Sequence, residues 1–203
     1  PSGVASDYPI WIRRYDALTG ADREAMRAQI ESWIDPPRIS ILMPTYNTPK
    51  KFLRQAIESV LSQIYPHWEL CIADDASTQP HVERILREYA GKDGRIKVMV
   101  RQKNGHISAA SNSALSLATG KYVALFDHDD VLREHALYWV AAEIMAHPNA
   151  ELIYSDEDKI DNSGRRFNPY FSPDWNPELL LAQNFICHLG VYRRERVVGI
   201  GGF

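Results

Sequence analysis

The sequence predicts an α/β fold with a mainly parallel central sheet and helices on both faces. Short apolar runs of β type recur along the chain from Arg38, and segments with apolar residues at helical spacing separate them. Because parallel strands need a crossover connection, this alternation favours right-handed β-α-β units. With 203 residues, 45% of them hydrophobic and 24% charged, the chain is long enough to form one good core.

The elements follow from local patterns along the chain. Residues 1–37 are predicted to form an N-terminal helical extension, whose helix is capped near Thr19. Tyr8, Trp11 and Trp33 are the expected anchors of this extension on the main domain, and docking on another subunit is the alternative. Strands are predicted at 39–43, 68–73, 95–100, 121–126 and 151–154, and helices at 53–64, 107–117 and 133–147.

Composition excludes several classes of function. A formal net charge of −3 leaves no electrostatic footprint for nucleic acid. Cys71 and Cys187 both lie in apolar runs, which predicts packed, reduced thiols. No apolar run is long enough to cross a membrane, and no signal peptide is recognisable. We therefore expect a cytoplasmic domain, and association with the inner face of the membrane stays open.

Polar side chains collect where the predicted strands end. In parallel sheets, ligands bind beyond the carboxyl ends of the strands, so these segments predict a binding cleft. For Asn47, Ser77 and Thr78, capping of a turn or helix explains the residue type equally well. The segments are PTYN at 44–47, DDAST at 74–78, RQKNGHISAASN at 101–112 and DHDD at 127–130.

The fourth of these segments contains three carboxylates, Asp127, Asp129 and Asp130. Like charges this close repel one another, and at the end of a buried strand they are costly unless a cation neutralises them. Hard oxygen ligands suit Mg²⁺ or Mn²⁺, which complete their coordination with substrate phosphates. Asp130 could instead cap the following helix, which would leave Asp127 and Asp129 as the metal pair.

Other phosphate chemistries have weaker support. The sequence contains no GxxxxGK[ST] and no dinucleotide-binding fingerprint, and SDEDKIDNSG lacks two ligand positions of a calcium loop. YVALFDHDDV also fits a haloacid-dehalogenase-type phosphatase, in which Asp127 would be the nucleophile. That motif belongs on the first strand, however, and here three strand-helix units precede it.

Several segments together resemble the family 2 glycosyltransferases, which are inverting enzymes of the GT-A fold. The similar segments, in family order, are ISILMPTYN, LSQIYPHWELCIADDAST, NGHISAASNSALSLATGKYVALFDHDD and GIGGF. The segment from IYSDEDK onward is similar to the bacterial polysaccharide and O-antigen branch. The resemblance implies that residues 38–203 form a GT-A nucleotide-sugar-binding domain, truncated before the segment that carries the catalytic base.

The resemblance also implies roles for individual residues. Tyr46 would flank the nucleotide base, Asp75 would accept the N3–H of uracil or thymine, and Asp74 could cap its turn. Asp129 would coordinate Mn²⁺ or Mg²⁺ at the diphosphate, and Asp127 would join it or reach the ribose or a metal-bound water. The residues expected to bind the nucleotide sugar are Pro44, Thr45, Tyr46, Asp75, Asn104, Ser111, Asp127 and His128.

The general base is expected beyond Phe203, so no catalytic residue is assigned. Asp156, Glu157 and Asp158 are interpreted as a solvated acidic loop, and His188 as a strand histidine with satisfied hydrogen bonds. The expected function is transfer of a sugar from a UDP- or dTDP-linked donor to a polysaccharide or lipid-linked acceptor. A non-catalytic nucleotide-sugar-binding module is the alternative.

Overall fold

The computed structural model describes residues 4–203, and its side chains from Asp7 onward. The helices are α1 Val4–Trp11, α2 Gly20–Ser32, α3 Lys50–Leu61, α4 Pro80–Lys92, α5 His106–Leu117, α6 Ala136–Ala146, α7 Pro177–Ala182 and α8 Arg194–Gly199, with a π-helical segment at Ile12–Asp16. The strands are β1 Ile39–Thr45, β2 Trp68–Asp74, β3 Ile96–Val100, β4 Tyr122–Leu125, β5 Leu152–Ile153, β6 Glu157–Ile160, β7 Arg166–Tyr170 and β8 Val191–Arg193.

The main sheet has six strands in the order β3-β2-β1-β4-β8-β5. Strand β1 pairs in parallel with β2 and with β4, and β2 pairs in parallel with β3. The predicted parallel sheet is therefore confirmed. Strand β8, for which the sequence predicted neither bounds nor partners, lies antiparallel between β4 and β5 and separates the fourth and fifth predicted strands.

The sheet is covered on both faces, because alternate side chains of each strand point to opposite sides. On one face, Ile39, Ile41 and Met43 of β1 pack in a core with residues of α3, α4 and α6. On the other face, Leu42 of β1 packs with residues of α5 and with Val197 of α8. Strand β1 is buried over its whole length, so it lies at the centre of the domain between these two cores.

The N-terminal extension packs on the first of these cores. Thr19 caps α2 in a capping box with Asp22, which confirms the predicted helix start. Met26 and Ile30 are buried against the domain, and Trp33 stacks on the ring of Tyr138 at 5.9 Å between centroids. Of the other expected anchors, Tyr8 is buried, and Trp11 contacts Phe171 edge-on at 5.1 Å.

One open alternative and two local predictions were wrong. Helix α6 begins at Ala136 with His135 at its N-cap, so Asp130 lies too far upstream to cap it. Cys187 is exposed because its segment forms an irregular loop, whereas Cys71 is buried in β2 as predicted. Glu157 and Asp158 belong to β6, which pairs with β7 in a hairpin, so the predicted acidic loop is partly ordered. Within residues 4–203, no helix is both long and apolar enough to cross a membrane.

Candidate functional site

A cleft of about 460 Å³ opens at the carboxyl ends of the parallel strands. This volume falls within the range of pockets that bind small molecules and cofactors, roughly 300–1,000 Å³. Its walls come from the ends of β1, β2 and β4 and from the first turns of α5. The lining residues are Pro44, Thr45, Tyr46, Asp75, Asn104, His106, Ile107, Ala110, Asp127, His128 and Asp129.

The end of β1 contributes an accessible aromatic ring to the cleft. Tyr46 follows the strand directly, lines the cleft and is 45% exposed, so part of its side chain is accessible to a ligand. The next residue, Asn47, has a left-handed backbone with φ of 50°. Its side-chain oxygen accepts the backbone N–H groups of Thr78 and Gln79 at 2.8 and 3.0 Å. Asn47 therefore joins the loops after β1 and β2, as expected of a capping residue.

The end of β2 contributes two buried acids with different tasks. The Asp74 carboxylate accepts the hydroxyl of Ser77 at 2.5 Å and so caps its own turn. The Asp75 carboxylate lines the cleft, pairs with the Arg101 guanidinium at 2.7 Å and accepts the backbone N–H of Gly105 at 3.0 Å. Burial together with these fixed partners allows one orientation of the Asp75 carboxylate towards the cleft.

The start of α5 forms the opposite wall. The side-chain amide of Asn104 donates to the backbone oxygen of Asp75 at 3.2 Å, which ties this wall to β2. His106 begins α5 with a φ of 64°, a conformation that non-glycine residues rarely adopt and that is concentrated at functional sites. Ser111 is buried on α5 and does not line the cleft; Ala110 occupies that wall instead.

The acids that follow β4 lie at the mouth of the cleft. The Asp129 side chain is 58% exposed, whereas those of Asp127 and Asp130 are each 43% exposed. The His188 imidazole reaches them from the loop before β8, with its Nε2 at 3.8 Å from carboxylate oxygens of both Asp127 and Asp130. One ligand atom from each of Asp127, Asp130 and His188 lies within 4.8 Å of the others.

This donor set fits a divalent cation. Burial raises the pKa of Asp130 above its ordinary range; His188 opposes the rise, and the charges of Asp127 and Asp129 add to it. A cation would remove this repulsion, and carboxylate oxygens are the ligands that Mg²⁺ and Mn²⁺ prefer. In addition, the Nδ1 atom of His128 is buried beside the cleft without a hydrogen-bond partner among residues 4–203. The residues present are thus compatible with the expected Mn²⁺ or Mg²⁺.

The structure corrects the interpretation of two other candidates. His188 lies in an exposed turn rather than in a strand, and faces Asp127 and Asp130. Asp158 is not solvated, because it pairs with Arg166 at 2.5 Å and accepts the Tyr8 hydroxyl.

Eight of the nine predicted site residues therefore line the cleft, and Ser111 is the exception. His188 was not assigned to the site, and Asp130 was left open between the cation group and a helix cap; the structure brings both close to Asp127. The third acid of DHDD was the available signal for Asp130. Nothing local in FICHLGVY indicates that His188 lies beside β4.

The comparison with known proteins identifies the family. The sequence profile described as "Glycosyl transferase family 2" matches residues 40–198, most of the chain. The chain belongs to glycosyl transferase family 2. This assignment removes the phosphatase alternative.

Curated relatives of the family 2 domain are much longer than this chain. The chain is 47% identical over 193 residues to the uncharacterized protein y4gI of Sinorhizobium fredii, covering 95% of the chain and 21% of that relative. It is 38% identical over 198 residues to the O-antigen biosynthesis protein RfbC of Myxococcus xanthus, covering 97% of the chain and 15% of that relative. The chain thus spans about a fifth of these proteins or less.

Solved structures share the fold of the domain. Staphylococcus aureus TarS (residues 1–349) in complex with UDP-GlcNAc superposes with a TM-score of 0.65 at 25% identity, over 80% of this chain and 47% of that one. The mannosyltransferase PcManGT from Pyrobaculum calidifontis, in complex with GDP-Man and Mn²⁺, gives a TM-score of 0.61 at 19% identity, over 90% and 56% of the two chains. The predicted GT-A fold is therefore confirmed.

Proposed function

We propose that this domain binds a UDP- or dTDP-linked sugar in the cleft and takes part in transferring the sugar, with inversion, to a polysaccharide or lipid-linked saccharide acceptor. One observation carries the proposal: the cleft combines an exposed aromatic ring, a fixed buried carboxylate and a group of acids at its mouth. The similarity to TarS, solved with UDP-GlcNAc, and to RfbC, named for O-antigen biosynthesis, supports the donor class and the acceptor class.

The base of the nucleotide is assigned to the inner part of the cleft. Tyr46 offers its ring face to the base, and Asp75 offers one carboxylate oxygen to an N–H group of the base. Because Arg101 and Gly105 already occupy part of the Asp75 carboxylate, it suits a single donor such as the N3–H of uracil or thymine. Pro44, Thr45 and Asn104 complete the walls around the base.

The diphosphate is assigned to the mouth of the cleft. Asp127 and Asp129 are the proposed cation ligands, and Asp130 and His188 are close enough to Asp127 to join them. A bound Mn²⁺ or Mg²⁺ supplies positive charge that stabilises the nucleoside diphosphate as the glycosidic bond breaks. His128 and Asp127 lie where the ribose or the diphosphate would contact the protein. No described acid is assigned as the general base, because the family resemblance places that residue after Phe203.

A thermal-shift experiment tests the proposal. The melting temperature is measured with UDP, dTDP, GDP and ADP, each with Mn²⁺ and with EDTA. A ligand at 100 times its Kd stabilises the folded state by about 2.7 kcal/mol, which is easily measured. UDP and dTDP should raise the melting temperature when Mn²⁺ is present, and Asp127→Asn should remove this effect.

Glu24→Gln serves as the control, because Glu24 is an exposed acid on α2 outside the cleft lining. This variant should respond to UDP and Mn²⁺ as the unaltered chain does. An equal response to all four nucleotides, or no response to any of them, would contradict the proposal.

A further inference from the structure

Asp16 is the centre of a partly buried ionic cluster outside the cleft. It is the last residue of the π-helical segment, and its side chain is 12% exposed. Its carboxylate lies 3.0 Å from Nε2 of His135 and 3.2 Å from Nε of Arg133, and it contacts Nη1 of Arg166 closely. Three basic side chains from two separate parts of the chain thus meet on one carboxylate of the N-terminal extension.

These partners keep Asp16 ionised. Burial alone would raise its pKa, but hydrogen bonds from His135 and Arg166 and the charges of Arg166 and Arg133 lower it to about 2. The Asp16 carboxylate is therefore negatively charged in the folded protein at neutral pH.

One chain of contacts connects the cluster to the acids after β4. Arg133 and His135 belong to loop 131–135, which begins immediately after Asp130. The backbone of this loop is held by the Ser59 hydroxyl, which accepts the N–H of Leu132 at 3.1 Å. The loop therefore has little freedom, and a displacement at Arg133 and His135 would be passed along a short, constrained segment to Asp130.

A second chain of contacts connects the cluster to His188 through the β6–β7 hairpin. Arg166 on β7 also pairs with Asp158 on β6 at 2.5 Å. Glu157, next to Asp158, accepts the backbone N–H of His188 at 3.2 Å. Nε2 of His188 lies 3.8 Å from the Asp130 carboxylate. The two chains of contacts that start at Asp16 therefore both end at the candidate cation group.

Attachment of the extension does not depend on this cluster, because Met26, Ile30 and Trp33 already pack on the core. Buried ion pairs usually contribute little more to the free energy of unfolding than apolar side chains of similar size. In some proteins such pairs instead select one conformation over others. An outer set of hydrogen bonds that orients metal ligands typically changes metal affinity 10–100-fold.

We propose that Asp16 is a positioning residue for the cation group: it links the loop after Asp130 to the β6–β7 hairpin, and so fixes the separation between Asp130 and His188. This inference rests on the proposed function, because it takes Asp127, Asp130 and His188 to be cation ligands in the nucleotide complex.

Mn²⁺ affinity in the presence of UDP, measured from the free Mn²⁺ signal in electron paramagnetic resonance, tests the proposal without an activity assay. Asp16→Asn should weaken Mn²⁺ binding about tenfold. Glu134→Gln is the matched control, because it removes the 2.5 Å pair with Arg23 that joins the same extension to the same loop. This control should change Mn²⁺ affinity less than about twofold, and its thermal stability should fall less than that of Asp16→Asn, because the Arg23–Glu134 pair is more exposed.

Arg166→Gln provides a second variant if Asp16→Asn folds poorly. It breaks only the contacts that connect Asp16 to the β6–β7 hairpin, and it should also weaken Mn²⁺ binding. Unchanged Mn²⁺ affinity in the folded variants, or an equal loss in Glu134→Gln, would overturn the inference alone. If the unaltered chain showed no Mn²⁺ binding with UDP, the proposed function would fail, and this inference with it.

Discussion

Replacement of Glu69 by glutamine should destabilise the fold without changing the cleft. Glu69 lies near the start of β2, at the amino ends of the parallel strands and so at the opposite end from the cleft, and is 3% exposed. Its carboxylate accepts the Ser40 hydroxyl at 2.6 Å and the backbone N–H groups of Thr119 and Gly120 at 2.5 and 3.1 Å. It also pairs with the Lys97 ammonium at 2.7 Å. These contacts join β2 to β1, to β3 and to the turn before β4.

The magnitude follows from the pKa of this carboxyl. Burial favours the neutral form, but bonds from Lys97, Ser40 and Thr119 outweigh burial and lower the Glu69 pKa from 4.5 to about 2. At about 1.4 kcal/mol per pKa unit, the ionised form contributes about 3 kcal/mol to the free energy of unfolding at neutral pH. Glutamine resembles the neutral form and presents an amide N–H₂ to the partners, so Glu69→Gln should lose about that amount.

The same reasoning fixes the pH dependence. Because the folded pKa is the lower one, the stabilisation is present above about pH 4.5 and is lost as the pH falls towards 2. Urea unfolding of both proteins between pH 7 and pH 3 should therefore show a stability difference that shrinks with acidification. Glu31→Gln, at an exposed position on α2, is the control and should behave like the unaltered chain. A loss below about 1 kcal/mol at pH 7, or a difference that does not vary with pH, would refute the argument.

Three further predictions concern the cleft, the extension and the thiols. Tyr46→Ala should weaken UDP binding by about 1 kcal/mol, roughly fivefold, in calorimetry, while Tyr46→Phe keeps the ring and the affinity; equal losses in both would contradict stacking. Thr19→Ala should lower the free energy of unfolding by about 1 kcal/mol in urea titrations, because the capping box with Asp22 is lost, and an unchanged value would contradict this. Ellman's reagent should label Cys187 rapidly and Cys71 only after denaturation, because Cys71 is buried with its pKa raised to about 12; two rapid reactions would be contrary to the structure.

Most of the central sheet could be predicted from the sequence because its strands are buried apolar runs whose pattern is local. The first strand, predicted at 39–43, extends over Ile39–Thr45, and the fourth, predicted at 121–126, is Tyr122–Leu125. Strand β8 could be anticipated only as part of an apolar run, without its bounds or its partners. It is three residues long, and its place depends on pairing with β4 and β5, which no local period reveals.

The site residues likewise fall into two groups: those whose position follows from the neighbouring sequence, and those whose position depends on tertiary contacts. Tyr46, Asp75 and Asp127 could be placed because each lies within two residues of the end of a recognisable strand. The position of His188 beside Asp127 depends on the path of the loop that precedes β8, and the partners of Asp16 come from segments more than 100 residues away. Contacts of this kind are set by tertiary packing, so composition and spacing do not predict them.

Calorimetric titration of the chain with UDP, once with Mn²⁺ and once with EDTA, tests most directly whether the cleft holds a diphosphate through a cation. We expect Mn²⁺ to tighten UDP binding at least about tenfold, equivalent to about 1.4 kcal/mol, and Asp127→Asn to abolish that gain. UDP binding of equal affinity with and without Mn²⁺, or no UDP binding under either condition, would contradict the assignment of the acids after β4.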